Sequence, residues 1–209
     1  IYNGANENFT PATSIEIEAT REKQTKGAPY FVFVGSIHPR KNIKNLLRAF
    51  ELFRAEYKAP FKMVIVGKKS FLTKSTEEQL EKLEFKSDVI FTGRLSSGDL
   101  NDIISAAWAL TFVPFFEGFG IPLVEAMNCD IPILTSNITS LPEIAGDAAI
   151  YAEPESLGSI RDGMVRIVKE KGLREELIKK GRERRKLYSW DNTADELWKT
   201  MQRVLNAHA

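Results

Sequence analysis

The sequence predicts an α/β fold: a Rossmann-like, mainly parallel sheet of about six strands with helices on both faces and a helical C-terminal extension. Three observations carry this. Continuous apolar runs such as Tyr30–Gly35 and Lys62–Gly67 end in glycine, as strands buried on both faces read. Segments with helical spacing separate the runs, which implies right-handed crossovers between parallel strands. The last third of the chain carries amphipathic helical patterns only.

Taken in order, the chain opens on Ile1–Phe9, in which Asn3–Gly4 is a turn signal. Thr10–Pro29 is polar, with an isolated Ile15/Ile17 alternation, and is expected to form a surface turn or short helix. Tyr30–Gly35 is the first strand. Asn42–Tyr57 follows as a helix whose Ile43, Leu46, Leu47, Phe50 and Phe53 pack on the sheet. Lys62–Gly67 is the second strand, Glu77–Leu83 a short helix, and Val89–Gly93 the third strand. Asp99–Ala107 is a helix and Ala109–Pro114 the fourth strand. Ile121–Asn128 is a helix, Ile131–Ser136 the fifth strand and Ala148–Ala152 the sixth. Pro154–Lys169, Leu173–Tyr188 and Trp190–Leu205 are helices, with Ser156 and Ser189 as candidate caps. The basic run Lys179–Lys186 reads as a solvated helix face, with contact to anionic lipid as the alternative.

Composition excludes several classes. At 209 residues and 43% hydrophobic, the chain can bury a core as one large domain or two small ones. A formal net charge of +1 provides no field that draws the whole molecule to nucleic acid or membrane. One cysteine, Cys129, excludes an internal disulfide framework and suits a reducing, cytoplasmic compartment. No apolar run approaches the roughly 20 residues that span a bilayer. No His/Cys/Asp/Glu grouping has metal-ligand spacing. The chain begins at Ile1 without a signal-like segment and reads as a fragment or an excised domain.

Two stretches carry chemistry. The first is Pro114–Pro132, PFFEGFGIPLVEAMNCDIP. A strand leads into the glycine turn Glu117–Gly118–Phe119–Gly120, and the turn leads into a helix. Glycines there permit close backbone approach to a ligand, and the helix start favours an anion such as phosphate. Glu117 and Glu125 flank the turn as acceptors suited to hydroxyls. The second stretch is Ser36–Asn42, SIHPRKN, which follows Gly35. Arg40 and Lys41 lie just before a helix start, against the preference of the helix dipole, which suggests a compensating anion. Arginine grips phosphate with two parallel hydrogen bonds, and lysine acts as a compact point charge. His38 reads as a surface or supporting residue and His208 lies in the tail. Gly35, Gly67, Gly93 and the Glu117 turn all fall at the carboxyl edge of the sheet, where such sheets bind ligands.

These stretches resemble the donor-binding motifs of the retaining glycosyltransferases with two Rossmann-like domains, the GT-B fold, family 4, and the likeness runs from Asn3 to the last helix. A Glu, seven residues and a second Glu, with EGFG at the start, are that family's hallmark. The resemblance implies that Glu117 contacts the transferred sugar, that Glu125 holds the nucleotide ribose, and that the Gly118, Phe119 and Gly120 amides lie near the diphosphate. It implies that Lys41 holds the diphosphate beside Gly35. The usual arginine position is Ser36 here, and Arg40 is the candidate to supply the missing charge. Gly93, Arg94 and Leu95 match the segment beside the base, mainly through main chain. Ser140–Glu143, SLPE, matches a common element read as a helix-start device. Asp130 stands where a glycine is frequent.

The resemblance also divides the chain. Residues 1–29 become an interdomain linker and lead-in, 30–188 the nucleotide-sugar-binding domain, and 189–209 a C-terminal crossover helix. An N-terminal acceptor domain is then missing, and Trp190 and Trp198 are dressed for it. The implied activity is transfer of a hexose, mannose favoured, from a GDP-sugar or UDP-sugar to a saccharide or lipid-linked acceptor, without cofactor or metal. The implied partners are the nucleotide sugar and the missing domain, not nucleic acid. The implied location is the cytoplasm, or peripherally at the inner face of a membrane. The alternatives are a nucleotide-sugar epimerase of the related fold and a non-catalytic nucleotide-binding domain.

Overall fold

The computed structural model describes residues 1–68, 78 and 80–207. Its strands are β1 (Tyr30–Val34), β2 (Lys62–Val66), β3 (Val89–Gly93), β4 (Ala109–Phe112), β5 (Ile133–Ser136) and β6 (Ala149–Ala152). They form one sheet of order β3-β2-β1-β4-β5-β6, and every pairing is parallel. The order reverses between β1 and β4, which are neighbours. A crevice opens outside the carboxyl ends of the strands at such a reversal.

The helices are α1 (Ser14–Thr25), α2 (Ile43–Glu56), α3 (Ser97–Ser105), α4 (Ile121–Asn128), α5 (Leu141–Ala145), α6 (Leu157–Lys169), α7 (Leu173–Arg184) and α8 (Trp190–Ala207). Helices α2 and α6 pack on each other, while α1, α3, α4 and α7 form a continuous row of contacts. Right-handed crossovers from the two halves of the sheet put these groups on opposite faces. Residues 77 and 79 of the short helix expected over Glu77–Leu83 lie outside the described residues, as does His208.

The middle of the sheet is dry because its strands are mostly apolar, and the hydroxyls of Thr111, Thr135 and Ser136 donate to main-chain carbonyls. All five residues of β1 and all four of β4 and β5 are buried. Aromatic rings fill the α2 face: Phe31 stacks on Phe61 at 5.1 Å and meets Phe53 edge-on at 5.3 Å. Each such ring contributes roughly 1.5–3 kcal/mol by leaving water.

Thr10–Pro29 is more ordered than a lead-in. A capping box between Thr13 and Glu16 starts the 12-residue α1, and Lys26 in the left-handed region ends it. Ser156 and Ser189 cap α6 and α8 as expected, each accepting a backbone N–H three residues on. The basic run is a correction. Arg185 donates to the Met127 and Asn128 carbonyls at the C-terminal end of α4, at 3.0 and 3.1 Å. Arg184 does the same for Glu143 and for Ile144 of α5. These cations therefore satisfy orphan carbonyls instead of simply facing water. Asp130 has φ 55°, the left-handed region a glycine would favour, and pairs with Arg182 and Arg185.

No helix among the described residues is long and apolar enough to cross a membrane. Helix α8 buries none of its residues; Trp190, Leu197, Trp198, Met201 and Val204 stay exposed.

Candidate functional site

The reversal of strand order brings the two chemical stretches together. Gly35 ends β1, and the chain turns through a single 3-10 turn, Pro39–Lys41, into α2. His38 caps that turn by accepting the Arg40 N–H at 3.2 Å on Nδ1, a local backbone role. Asn42 anchors it from below: its Nδ2 donates to the carbonyls of Val113 at 2.9 Å and Pro154 at 2.7 Å. This staples the β1 loop to the segments after β4 and β6. The Phe115 N–H donates to the Arg40 carbonyl at 2.8 Å, a further tie across the junction.

Lys41 is 6% exposed and points its ammonium at Glu117 Oε2, with which it forms an ion pair, and lies 4.7 Å over the Phe112 ring. Arg40 Nη1 reaches the same oxygen at 3.4 Å and the Phe116 carbonyl at 3.2 Å. Burial holds the Lys41 ammonium below the ordinary lysine range, and Glu117 works against that shift. A Cβ placed on Gly35 would sit 3.9 Å from Lys41 Cε, so the lysine stem rises beside the end of β1. Two cations and one acid thus share a partly buried junction. One carboxylate offsets only one of the two positive charges, so the junction keeps a net positive charge.

The turn itself is held from behind by Ser140, whose hydroxyl lies 3.0 Å from the Glu117 carbonyl and 3.1 Å from that of Phe119. SLPE does open α5, with Ser140 at its N-cap position, but the Ser140 hydroxyl makes no capping hydrogen bond to the helix and braces the turn instead. Gly120 takes φ 104°, and a Cβ there would lie 2.8 Å from Leu141. No described residue accepts a hydrogen bond from the Gly118, Phe119 or Gly120 N–H groups. Those donors sit in the turn that follows Glu117, the ion-pair partner of Lys41. Pro122 removes one donor from the first turn of α4, so the turn amides supply most of the anion-binding capacity there.

Glu125 stands apart from the ion pair. It sits one turn into α4, half-buried, and its carboxylate makes no hydrogen bond or ion pair to any described residue. Burial pushes its carboxyl up to about 7. An isolated acceptor so placed gains from any hydroxyl donor that reaches it. Cys129, at the end of the same helix, is 2% exposed, and burial pushes its thiol up, out of the reactive range.

Gly93, Arg94 and Leu95 occupy the same edge two strands away, roughly 10 Å from β1 by strand spacing. The Gly67 N–H donates to the Gly93 carbonyl at 3.0 Å and the Gly35 N–H to the Val66 carbonyl at 2.9 Å, which forms a ledge of bare main chain. Arg94 and Ser36 are exposed. Leu95 turns away, towards α1 and α3, where it lines a cavity of about 290 Å³. Sequence reasoning missed Asn42 as an anchor and Ser140 as a brace. The left-handed φ of 60° at Asn42, common for asparagine, is a signal only in retrospect.

Residues 15–184 match the family described as glycosyl transferases, group 1. The chain is 31% identical over 163 residues to the O-antigen chain mannosyltransferase B of Escherichia coli, covering 78% of this chain and 43% of that protein. It therefore spans less than half the length of that relative. Among solved structures it superposes on Anabaena HepE, determined with UDP and glucose, at a TM-score of 0.84 and 16% identity, over 97% of this chain and 56% of that one. The C-terminal domain of the group 1 glycosyl transferase LpcC from Francisella tularensis gives a TM-score of 0.74 at 21% identity, over 87% of this chain and 96% of that domain.

Proposed function

The chain belongs to the group 1 glycosyl transferases, and from that premise we propose that it is the donor-binding, C-terminal half of a retaining enzyme of the GT-B fold, family 4. The observation that carries this reading is the convergence of Lys41 and Arg40 on Glu117 at the strand reversal, beside the free amides of Gly118, Phe119 and Gly120. The donor is a nucleoside diphosphate sugar. The mannosyltransferase relatives support a GDP-mannose donor over a UDP-sugar. The family match does not favour the epimerase alternative.

Breaking the anomeric bond leaves a cationic sugar and an anionic diphosphate. Lys41 and Arg40 release Glu117 and take the diphosphate, and the turn amides add neutral donors where charge develops. Glu117, freed from its ion pair, orients the sugar hydroxyls and is not assigned as a covalent nucleophile. Glu125 accepts from the ribose, and the ledge at Gly93 and Leu95 borders the base. Residues 1–29 link to an N-terminal acceptor domain, and α8 crosses back to it. Residues 30–188 bind donor but transfer little or nothing alone. The acceptor is a saccharide or lipid-linked saccharide, met in the cytoplasm or at the inner face of a membrane. Calorimetric titration of this chain with GDP, UDP and their sugars tests the proposal. The expected result is binding that weakens in both Lys41→Ala and Glu125→Ala; binding indifferent to both changes rejects the site.

A further inference from the structure

The start of the chain and the segment just before α8 meet at the glycine turn. Tyr2 meets Tyr188 edge-on with ring centroids 5.3 Å apart and lies tilted against Phe119 at 6.3 Å, and Phe119 meets Tyr188 edge-on at 5.9 Å. The two tyrosines hang on α5. The Tyr2 hydroxyl donates to Glu143 Oε1 at 3.0 Å, and the Tyr188 hydroxyl donates to the Ile144 carbonyl at 2.7 Å. Ser140, at the start of the same helix, braces the turn.

The segment carrying Tyr2 is fixed in turn to the start of α8. The Thr193 hydroxyl donates to the Tyr2 carbonyl at 2.6 Å, and the Ala5 N–H donates to the Tyr188 carbonyl at 3.3 Å. A Cβ on Gly4 would fall 2.4 Å from the Trp190 nitrogen, so the two segments touch main chain to main chain.

We propose that Tyr2 and Tyr188 are positioning residues: they clamp the Phe119 ring and so fix the amides of Gly118 and Gly120 in the direction that receives the anion. Phe119 lies between the two glycines, and its ring is the handle by which the turn is gripped. The Arg40 and Lys41 contacts hold the turn up to Glu117, and beyond it the two glycines carry no side chains, so Phe119 is gripped by this clamp and by Ser140. Both clamping tyrosines sit where the chain enters and leaves the sheet domain. Displacing either segment therefore moves the donor turn. The functional side of this inference rests on the proposed donor site; the structural side does not.

The test uses this chain in three forms: wild type, Tyr2→Phe and Tyr2→Ala. Backbone amide spectra and GDP titrations are recorded for each. In Tyr2→Ala the Gly118 and Gly120 amides shift while Gly67 and Gly93 stay in place, and GDP affinity falls about fivefold. Tyr2→Phe keeps the ring and retains most of the affinity. Unmoved Gly118 and Gly120 amides in Tyr2→Ala, or equal losses of affinity in both variants, overturn the clamp. Should the wild-type chain bind neither GDP nor UDP, the donor reading fails, and the amide shifts still decide whether the clamp exists.

Discussion

Lys41 on the β1 loop and Glu117 on the β4 loop form an ion pair across the one place where the strand order reverses. The pair is partly buried and is shared with the more exposed Arg40. Lys41→Ala is expected to weaken GDP binding by roughly tenfold to a hundredfold, the worth of one hydrogen bond to a charged group. Lys41→Arg should not restore it, because the site is closed by Phe112 and cannot admit a planar fork. Titration of both variants checks this.

Glu125 predicts a pH dependence. Its folded value of about 7 stands above the ordinary 4.5 because burial disfavours the charge. Between those values the folded chain holds a proton that the unfolded chain has released. Stability therefore falls as pH rises through that window. The loss is on the order of 2–3 kcal/mol at 1.36 kcal/mol per unit. Urea midpoints of wild type and Glu125→Gln at about pH 5 and about pH 8 should diverge in wild type and stay closer in the variant.

Gly67 tests the ledge. A Cβ there would lie 1.9 Å from the Gly35 carbonyl oxygen, a clash with main chain that cannot step aside. Gly67→Ala is expected to cost about 2–4 kcal/mol, whereas Gly93→Ala, with open space but φ 75°, should cost only about 1–2 kcal/mol. Thermal unfolding of the two variants side by side measures the difference.

Arg185 tests the correction to the basic run. Arg185→Ala uncovers the carbonyls at the end of α4 and leaves Asp130 with Arg182 alone. The expected destabilisation is about 1–2 kcal/mol by urea unfolding. Lys179→Ala, in the same run, should be within about 0.5 kcal/mol of wild type.

The sheet was legible in the sequence for a specific reason. Parallel strands covered on both faces have no polar side, so YFVFVG and KMVIVG stand out as unbroken runs. Lys41 and Glu117 were legible because each sits a few residues after such a run, and topology then makes neighbours of them. The bracing of the turn was not legible. Ser140 is a serine before a helix, and nothing local says that its hydroxyl looks backwards to Phe119. The KKGRERRK run misled for the same reason: charge density marks a surface, but which carbonyls end beneath it is a property of packing. Tyr2 lies 117 positions from Phe119 in the chain, and no periodicity links them.

The side-chain-free shelf of Gly35, Gly67 and Gly93 has an evolutionary corollary. A base resting there would meet peptide groups that are the same whatever residue a mutation installs, and at Gly67 a larger residue breaks the shelf before it can read anything. Exchange of one nucleobase for another would then have to come from segments overhanging the shelf, so a guanine-to-uracil change made by redesigning Gly67 should yield destabilised protein instead of altered preference.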